Sequence, residues 1–279
     1  MKHRDSMSLR RDKAVSRAVG RAIHQYGMIS DGDRIAVALS GGKDSLTLMW
    51  ALHERLSRIP INYSLLAIYI DLGFEGDPAH LVEDYCKKMG YRFQVEHTDY
   101  GRKAHSDENR ENPCFLCSRL RRKRLFELTH ELGCDKLAFG HHMDDIIETL
   151  FLNMCYSGEI STMVPYQPLF NGKLTVIRPL AFLEESTINL FAENHPFPQV
   201  VNPCPTAITS KRHEIKKMLN SLYQTNKKIR GNIFRSMSRV KLDYLLGAQL
   251  NCNQANHWAG TQGTPATGLV QGSQARRNR

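Results

Sequence analysis

The stretch Arg34–Leu39 (RIAVAL), the turn Ser40-Gly41-Gly42-Lys43-Asp44-Ser45 and the run LTLMWALHERL constrain the fold more than any other part of the sequence. An apolar run that short, without alternation, reads as a strand buried on both faces, the kind found in parallel sheets between helices. The paired glycines allow a tight turn and close approach of the backbone to a ligand. The run after them has the length and periodicity of a helix. A strand, a glycine turn and a helix start in that order present free N–H groups and a positive dipole end to an anion. In open α/β sheets, ligands bind at this edge. Ser40 and Ser45 add hydroxyls, Lys43 a cation, and Asp44 is the candidate to hold Mg²⁺ against phosphates. The plainer reading is a glycine turn that merely caps a helix. The spacing matches neither GxxxxGK[ST] nor GxGxxG.

The remaining pattern repeats the same alternation. Strands are expected at 65–70 (LLAIYI), 91–96, 136–140 (KLAFG) and 174–177, with helices at 80–89, after the fourth strand (HHMDDIIETLFLNMCY), and at 184–195, where Pro196 and Pro198 stop the last. Residues 101–112 read as a loop. A basic helix is expected at 8–27, and two more helices at 210–224 and 233–246. Alternating strands and helices with right-handed crossovers imply an α/β fold, a doubly wound parallel sheet of five strands with N- and C-terminal helices. The expected organisation is a basic helical segment at 1–30, an α/β nucleotide-binding domain at 31–200, a helical part at 201–246 and a disordered tail at 247–279.

Charge narrows the partners. The net charge is +10 and the pI about 9.3, which favours a polyanion such as nucleic acid. No apolar run reaches the roughly 18 residues of a membrane helix, and the N-terminus lacks the apolar core of a signal peptide. A cytoplasmic protein without a membrane partner is expected. The seven cysteines are an odd number, and in a reducing compartment they argue against a disulfide framework.

Two further constellations carry chemistry. Gly140-His141-His142-Met143-Asp144-Asp145-Ile146-Ile147-Glu148 falls at the end of the fourth strand. Clustered carboxylates at a strand–helix junction suit Mg²⁺ or another cation, although acidic residues are also ordinary helix caps. Cys114-x-x-Cys117 opens a helix, a position that lowers thiol pKa. A redox dithiol, a structural zinc site and an iron–sulfur cluster all remain open for it; zinc would want four ligands and no second CxxC is present. Cys204, in Asn202-Pro203-Cys204-Pro205, is the third candidate ligand. Arg119, Arg121, Arg122, Lys123 and Arg124 follow the cysteine pair directly. They are candidate RNA contacts or simply a solvated face. Lys211, Arg212, Lys216, Lys217, Lys227, Lys228, Arg230 and Arg235 form a second basic region.

These motifs together resemble one family. SGGKDS after a buried strand is similar to the PP-loop of the ATP pyrophosphatases. GHHMDDIIETLFLN, CFLCSRLRR and GNIFRSMS resemble the tRNA 2-thiocytidine synthetase group within it, over roughly residues 10–246. The resemblance implies a PP-loop, adenine nucleotide alpha hydrolase-like fold. It implies an ATP site at Ala38, Ser40, Gly41, Gly42, Lys43, Asp44, Ser45, Ile70, Gly140 and Asp145, with Lys43, Asp44 and Asp145 catalytic. It further implies a [4Fe–4S] cluster on Cys114, Cys117 and Cys204, and ATP and Mg²⁺ as cofactors. The implied partners are tRNA and a sulfur donor, either a cysteine desulfurase or free sulfide, in a homodimer. The expected reaction is adenylation of a base carbonyl and exchange of its oxygen for sulfur, at cytidine 32 of the anticodon loop. One departure is that some relatives carry the later cysteine in a CxxC of its own, whereas Cys204 stands alone. A uridine thiolase, a lysidine synthetase and a non-catalytic zinc and RNA-binding module are the alternatives.

Overall fold

A computed structural model describes residues 6–76, 78–201, 204–205 and 211–246. Their sheet comprises β1 (Arg34–Leu39), β2 (Ser64–Asp71), β3 (Phe93–His97), β4 (Lys136–Ala138), β5 (Tyr166–Leu169) and β6 (Leu174–Ile177), in the order β3-β2-β1-β4-β6-β5. Every pairing is parallel except β5–β6. The chain moves outward from β1 to β3 and then returns to place β4 on the other side of β1. The crevice between β1 and β4 is therefore the topological switch point, where doubly wound sheets bind ligands.

The helices are α1 (Ser6–Gln25), α2 (Lys43–Arg55), α3 (Ala79–Met89), α4 (Tyr100–Ala104), α5 (Pro113–Glu131), α6 (Met143–Leu152), α7 (Glu185–Ala192), α8 (Lys211–Thr225) and α9 (Ile229–Ser236). The two faces of β1 show why both sides of the sheet are covered. Ile35, Val37 and Leu39 join a core with Val15 and Val19 of α1, Leu48 and Leu52 of α2 and Phe191 of α7. Ala36 joins Ile68, Leu137 and the α5 residues Leu125 and Leu128 on the other face. The period of two along the strand separates these sets. Asn112 caps α5, accepting from the Cys114 and Phe115 N–H groups, with Pro113 at the first helical position.

The sheet has six strands rather than five. The additional strand, β5, has Pro168 within it and no alternating pattern, and it lies antiparallel at the edge, where proline costs no interior ladder bond. The expected loop at 101–112 contains most of α4, α6 runs on into a π turn at Asn153–Ser157, and the second C-terminal helix starts earlier and ends at Ser236. The expected tail at 247–279, and Asn202 and Pro203 beside Cys204, lie outside the described residues. The chain divides into two units, Met1–Phe234 and Arg235–Arg279; the described part of the second carries a 3₁₀ turn at Leu242–Tyr244. No described helix is long and apolar enough to cross a membrane.

Candidate functional site

The switch-point crevice opens into a cavity of about 350 Å³. Ala38, Ser40, Gly42, Asp44, Ser45, Ile70, Gly140 and Asp145, all singled out from sequence, line it together with Tyr69, Arg121, Phe139 and His141. Gly41 and Lys43 are absent from the lining. The loop is held from within: Ser40 N–H donates to Ser45 Oγ at 3.1 Å, and Ser45 Oγ donates to the Gly42 carbonyl at 2.9 Å. Gly42 is the N-cap of α2 and no side chain caps it, which leaves the first N–H groups available to an anion. Gly41 adopts φ +76°, and a Cβ there would meet Val200 at 2.9 Å. Gly140 needs its missing Cβ for a different reason, because one would lie 3.0 Å from both Asp44 C and Ser45 N. The two motifs, far apart in sequence, are thus in backbone contact.

Carboxylates gather on one side. Asp44 Oδ1 is buried and makes no hydrogen bond; its neighbours are Lys43 Nζ at 3.6 Å and His142 Nε2 at 3.9 Å. Burial raises the Asp44 carboxyl above the usual carboxylate range, Lys43 and His142 oppose this, and Asp145 and Glu185 add to it. An orphaned carboxylate oxygen facing other carboxylates fits a divalent cation. Asp145 accepts from the His142 N–H at 3.0 Å, and its other oxygen pairs with Arg212 at 3.1 Å. Arg212 also reaches Glu148 at 3.4 Å, whose carboxyl is pushed up to about 7 by burial. Asp144 accepts from the Glu185 N–H at 2.8 Å and pairs with Arg230 at 3.0 Å. Lys43 and Lys216 share Glu185, at 3.6 and 2.7 Å.

These pairs revise the second basic region. Arg212, Lys216 and Arg230 neutralise the acidic cluster beside the cavity, and Lys211 pairs with Glu214 at 3.2 Å. Partly buried carboxylates draw in cations that would otherwise face solvent or RNA. The run on α5 divides similarly. Arg119 pairs with Glu111 and lies over the Phe115 ring, Lys123 is 3.8 Å from Glu127, and Arg124 is held by Glu96 at 2.7 Å and Glu131 at 2.8 Å. Arg121 and Arg122 turn toward the cavities.

Cys114, Cys117 and Cys204 lie at or near the surface and are in no disulfide. The Cys117 thiol is raised by burial, against the pull of Arg121, and the neighbouring Cys204 and Cys114 raise it further. The lowering expected at a helix N-terminus is therefore not met at Cys117, because desolvation outweighs the dipole. Cys204 and Cys114 are thus near enough to Cys117 to act on its thiol, as is Arg121, which also lines the cavity. No three His, Cys, Asp or Glu side chains among the described residues are grouped tightly enough for a single metal ion. Thiolates bound to three different irons of a cluster stand farther apart than ligands of one ion, and thiolate is the donor such clusters use. The donor set fits a cluster better than zinc. Cys86 and Cys134 are buried in the cores, with the Cys86 thiol pushed up to about 12 by burial.

Residues 12–222 match the family model of the PP-loop domain. The chain belongs to the PP-loop family. Among PP-loop relatives, the tRNA-cytidine(32) 2-sulfurtransferase of Geobacter sulfurreducens is 41% identical over 86% of this chain and 95% of that protein. The protein of the same name from Syntrophotalea carbinolica is 37% identical over 85% of this chain and 93% of its own length. Among solved structures, the U34-tRNA thiolase NcsA from Methanococcus maripaludis, with its [4Fe-4S] cluster, aligns with a TM-score of 0.69 and 28% identity. It covers 84% of this chain and 80% of that one. Sequence reasoning did not single out Val200 or Glu185 at this PP-loop site, nor Arg178, which donates to His141 of the cavity lining at 3.4 Å. A lone arginine after a strand carries no local signal.

Proposed function

We propose that the chain is a cytoplasmic, ATP-dependent tRNA sulfurtransferase that converts cytidine 32 to 2-thiocytidine. What carries the reading is Arg121: it lines the nucleotide cavity and lies close enough to Cys117 for its charge to act on that thiol. One turn of α5 thus joins a phosphate-binding loop to a group of thiols. A lysidine synthetase would have no use for them. The kinship with relatives bearing the sulfurtransferase name supports the same choice.

In this reading ATP lies across Ser40–Ser45, with adenine against Ala38 and Ile70. Asp44, with its unsatisfied oxygen, and Asp145 would hold Mg²⁺, which would neutralise phosphate charge. The base oxygen O2 attacks the α-phosphorus and pyrophosphate leaves. The α2 N–H groups and Lys43, once drawn from Glu185, stabilise the developing charge. A sulfur nucleophile then adds at C2, and AMP departs with the former base oxygen. Adenylation is needed because a pyrimidine oxygen is a poor leaving group and AMP a good one. Cys114, Cys117 and Cys204 would hold a [4Fe–4S] cluster, which would supply the sulfur-transfer chemistry. The sulfur donor, a cysteine desulfurase or free sulfide, and a homodimeric assembly belong to the same proposal.

The test is anaerobic purification with iron and sulfide quantification, followed by nucleoside mass spectrometry of tRNA treated with the protein and ATP. Iron-loaded protein that forms 2-thiocytidine is expected. Iron-loaded protein forming only 2-thiouridine would assign it to the uridine thiolases, the class of the solved neighbour. Full activity of the Cys114→Ala, Cys117→Ala and Cys204→Ala variants would overturn the cluster assignment.

A further inference from the structure

A second cavity, of about 380 Å³, adjoins the nucleotide cavity. Arg121, Leu125, Phe139 and His141 form the wall common to both. None of the three candidate cluster cysteines lines it, so it is not the place of the cluster. It has no acidic residue in its lining and three guanidinium groups, those of Arg121, Arg122 and Arg178.

Arg178 is the unusual member. Only 7% of it is exposed. Its Nη1 donates to the Val164 carbonyl and its Nε to His141 Nδ1 at 3.4 Å. Among the described residues, no carboxylate pairs with it and its Nη2 donates to nothing. A guanidinium buried without an anion is costly unless a ligand supplies acceptors. Burial, helped by repulsion from Arg122, lowers Arg178 to about 10, the sign of a cation held in place without compensation. Across the same cavity, Asn153 opens the π turn, a backbone irregularity frequent at functional sites. Its Nδ2 gives both hydrogens to Ser161, to the carbonyl at 3.0 Å and to Oγ at 2.9 Å. Asn153 Oδ1 is left as an acceptor for whatever the cavity holds. The shared wall supplies an aromatic surface, with the Phe139 and His141 rings 5.3 Å apart and inclined by 30°.

We propose that this second cavity receives the target cytosine after it leaves the RNA stack, with Arg178 donating to its O2 and N3 edge and Asn153 Oδ1 accepting from its exocyclic amine. The assignment rests on the thiolation reading above and deepens it. Extruded bases are read on their Watson–Crick edge and stacked on aromatic faces. Cytosine presents acceptors at O2 and N3 and a donor at N4. Uracil presents a donor at N3 and an acceptor at O4, which leaves Arg178 and Asn153 facing groups of their own kind. Arg121 and Arg122, at the cavity's exposed side, meet the flanking phosphates. Because the two cavities share lining residues, a base in the second adjoins ATP in the first.

The test uses the full chain with an anticodon stem-loop RNA carrying pyrrolo-cytosine at the target position, in the absence of ATP. The wild type is expected to change the probe's fluorescence on binding. Arg178→Lys, Arg178→Gln and Asn153→Ala should abolish that change, with RNA affinity within about 3-fold and ATP affinity unaltered. Thiolation kcat/KM on natural cytidine should fall by ~10- to ~100-fold, the value of a specific base contact. Asn153→Ala touches no buried charge, so it stays informative if the Arg178 variants fail to fold. Variants that retain both the fluorescence change and kcat/KM within about 2-fold overturn the pocket assignment. A wild type that shifts the probe yet inserts no sulfur overturns the thiolation reading and leaves the pocket standing.

Discussion

Gly140→Ala offers the most direct test of how the two halves of the site are joined. The added Cβ would stand 3.0 Å from Asp44 C, 3.0 Å from Ser45 N and 3.1 Å from the Asp44 carbonyl oxygen. Comfortable carbon contacts lie at about 3.5–4.0 Å, so backbone of either the loop or the α6 entry must shift by roughly 0.5 Å. Gly140 has no positive φ, so the substitution itself introduces no backbone strain. Relief by a rotamer change is impossible, because every atom it meets is main chain. Overpacking of this kind costs about 1–3 kcal/mol in stability. The larger effect should fall on chemistry, since the displaced atoms include Ser45 N, one of the N–H groups proposed to meet phosphate. Loss of one aligned donor, or a misplacement approaching 1 Å, lowers turnover by ~100-fold. A shift half that size is expected to reduce tRNA-dependent AMP release by ~10- to ~100-fold and to weaken ATP binding. The assay is AMP release with saturating tRNA, beside a urea melt of each protein. A Gly140→Ala enzyme that is equally stable and within about 2-fold of wild type would refute the backbone-contact argument.

Further outcomes follow from the charges and the thiols. Glu148 is raised by burial from its ordinary value to about 7, so the folded protein holds a proton there that the unfolded chain has released above about 4.5. This contribution is complete below pH 4.5 and is lost as pH rises through 7; wild type should therefore lose up to about 3 kcal/mol relative to Glu148→Gln across that window in urea titrations. Arg212→Ala removes the cation facing Glu148 and Asp145. It should destabilise by about 1–2 kcal/mol at pH 8 and by less at pH 5.5, where Glu148 is already neutral, read from denaturation midpoints. Cys114→Ser, Cys117→Ser and Cys204→Ser should each lose iron on anaerobic purification, while Cys86→Ser and Cys134→Ser, whose sulfurs sit in the cores, should retain it. Equal iron in all of these variants would remove the cysteine assignment.

The sequence by itself determined the frame on which the site is built. The unbroken apolar run of β1, the glycine pair and the periodic run of α2 are local features, and each encodes its own backbone state through contacts a few residues away. Hence the strand–turn–helix unit is legible in the order of amino acids alone, whereas Ala38 and Ile70 were reached through the family resemblance. Strand β5 escaped because its pairing is with β6 alone and Pro168 breaks the usual signal. What only the tertiary structure decided is which charges meet. Arg212 and Asp145 are 67 residues apart, and Arg230 and Glu184 are 46 apart; nothing local distinguishes them from arginines left to solvent or RNA. The same holds for Arg178, which gains its meaning from a cavity formed by β5, β6, α5 and α6 together. Burial and electrostatic partnership depend on the distances between elements, and those distances exist only once the sheet has brought them together.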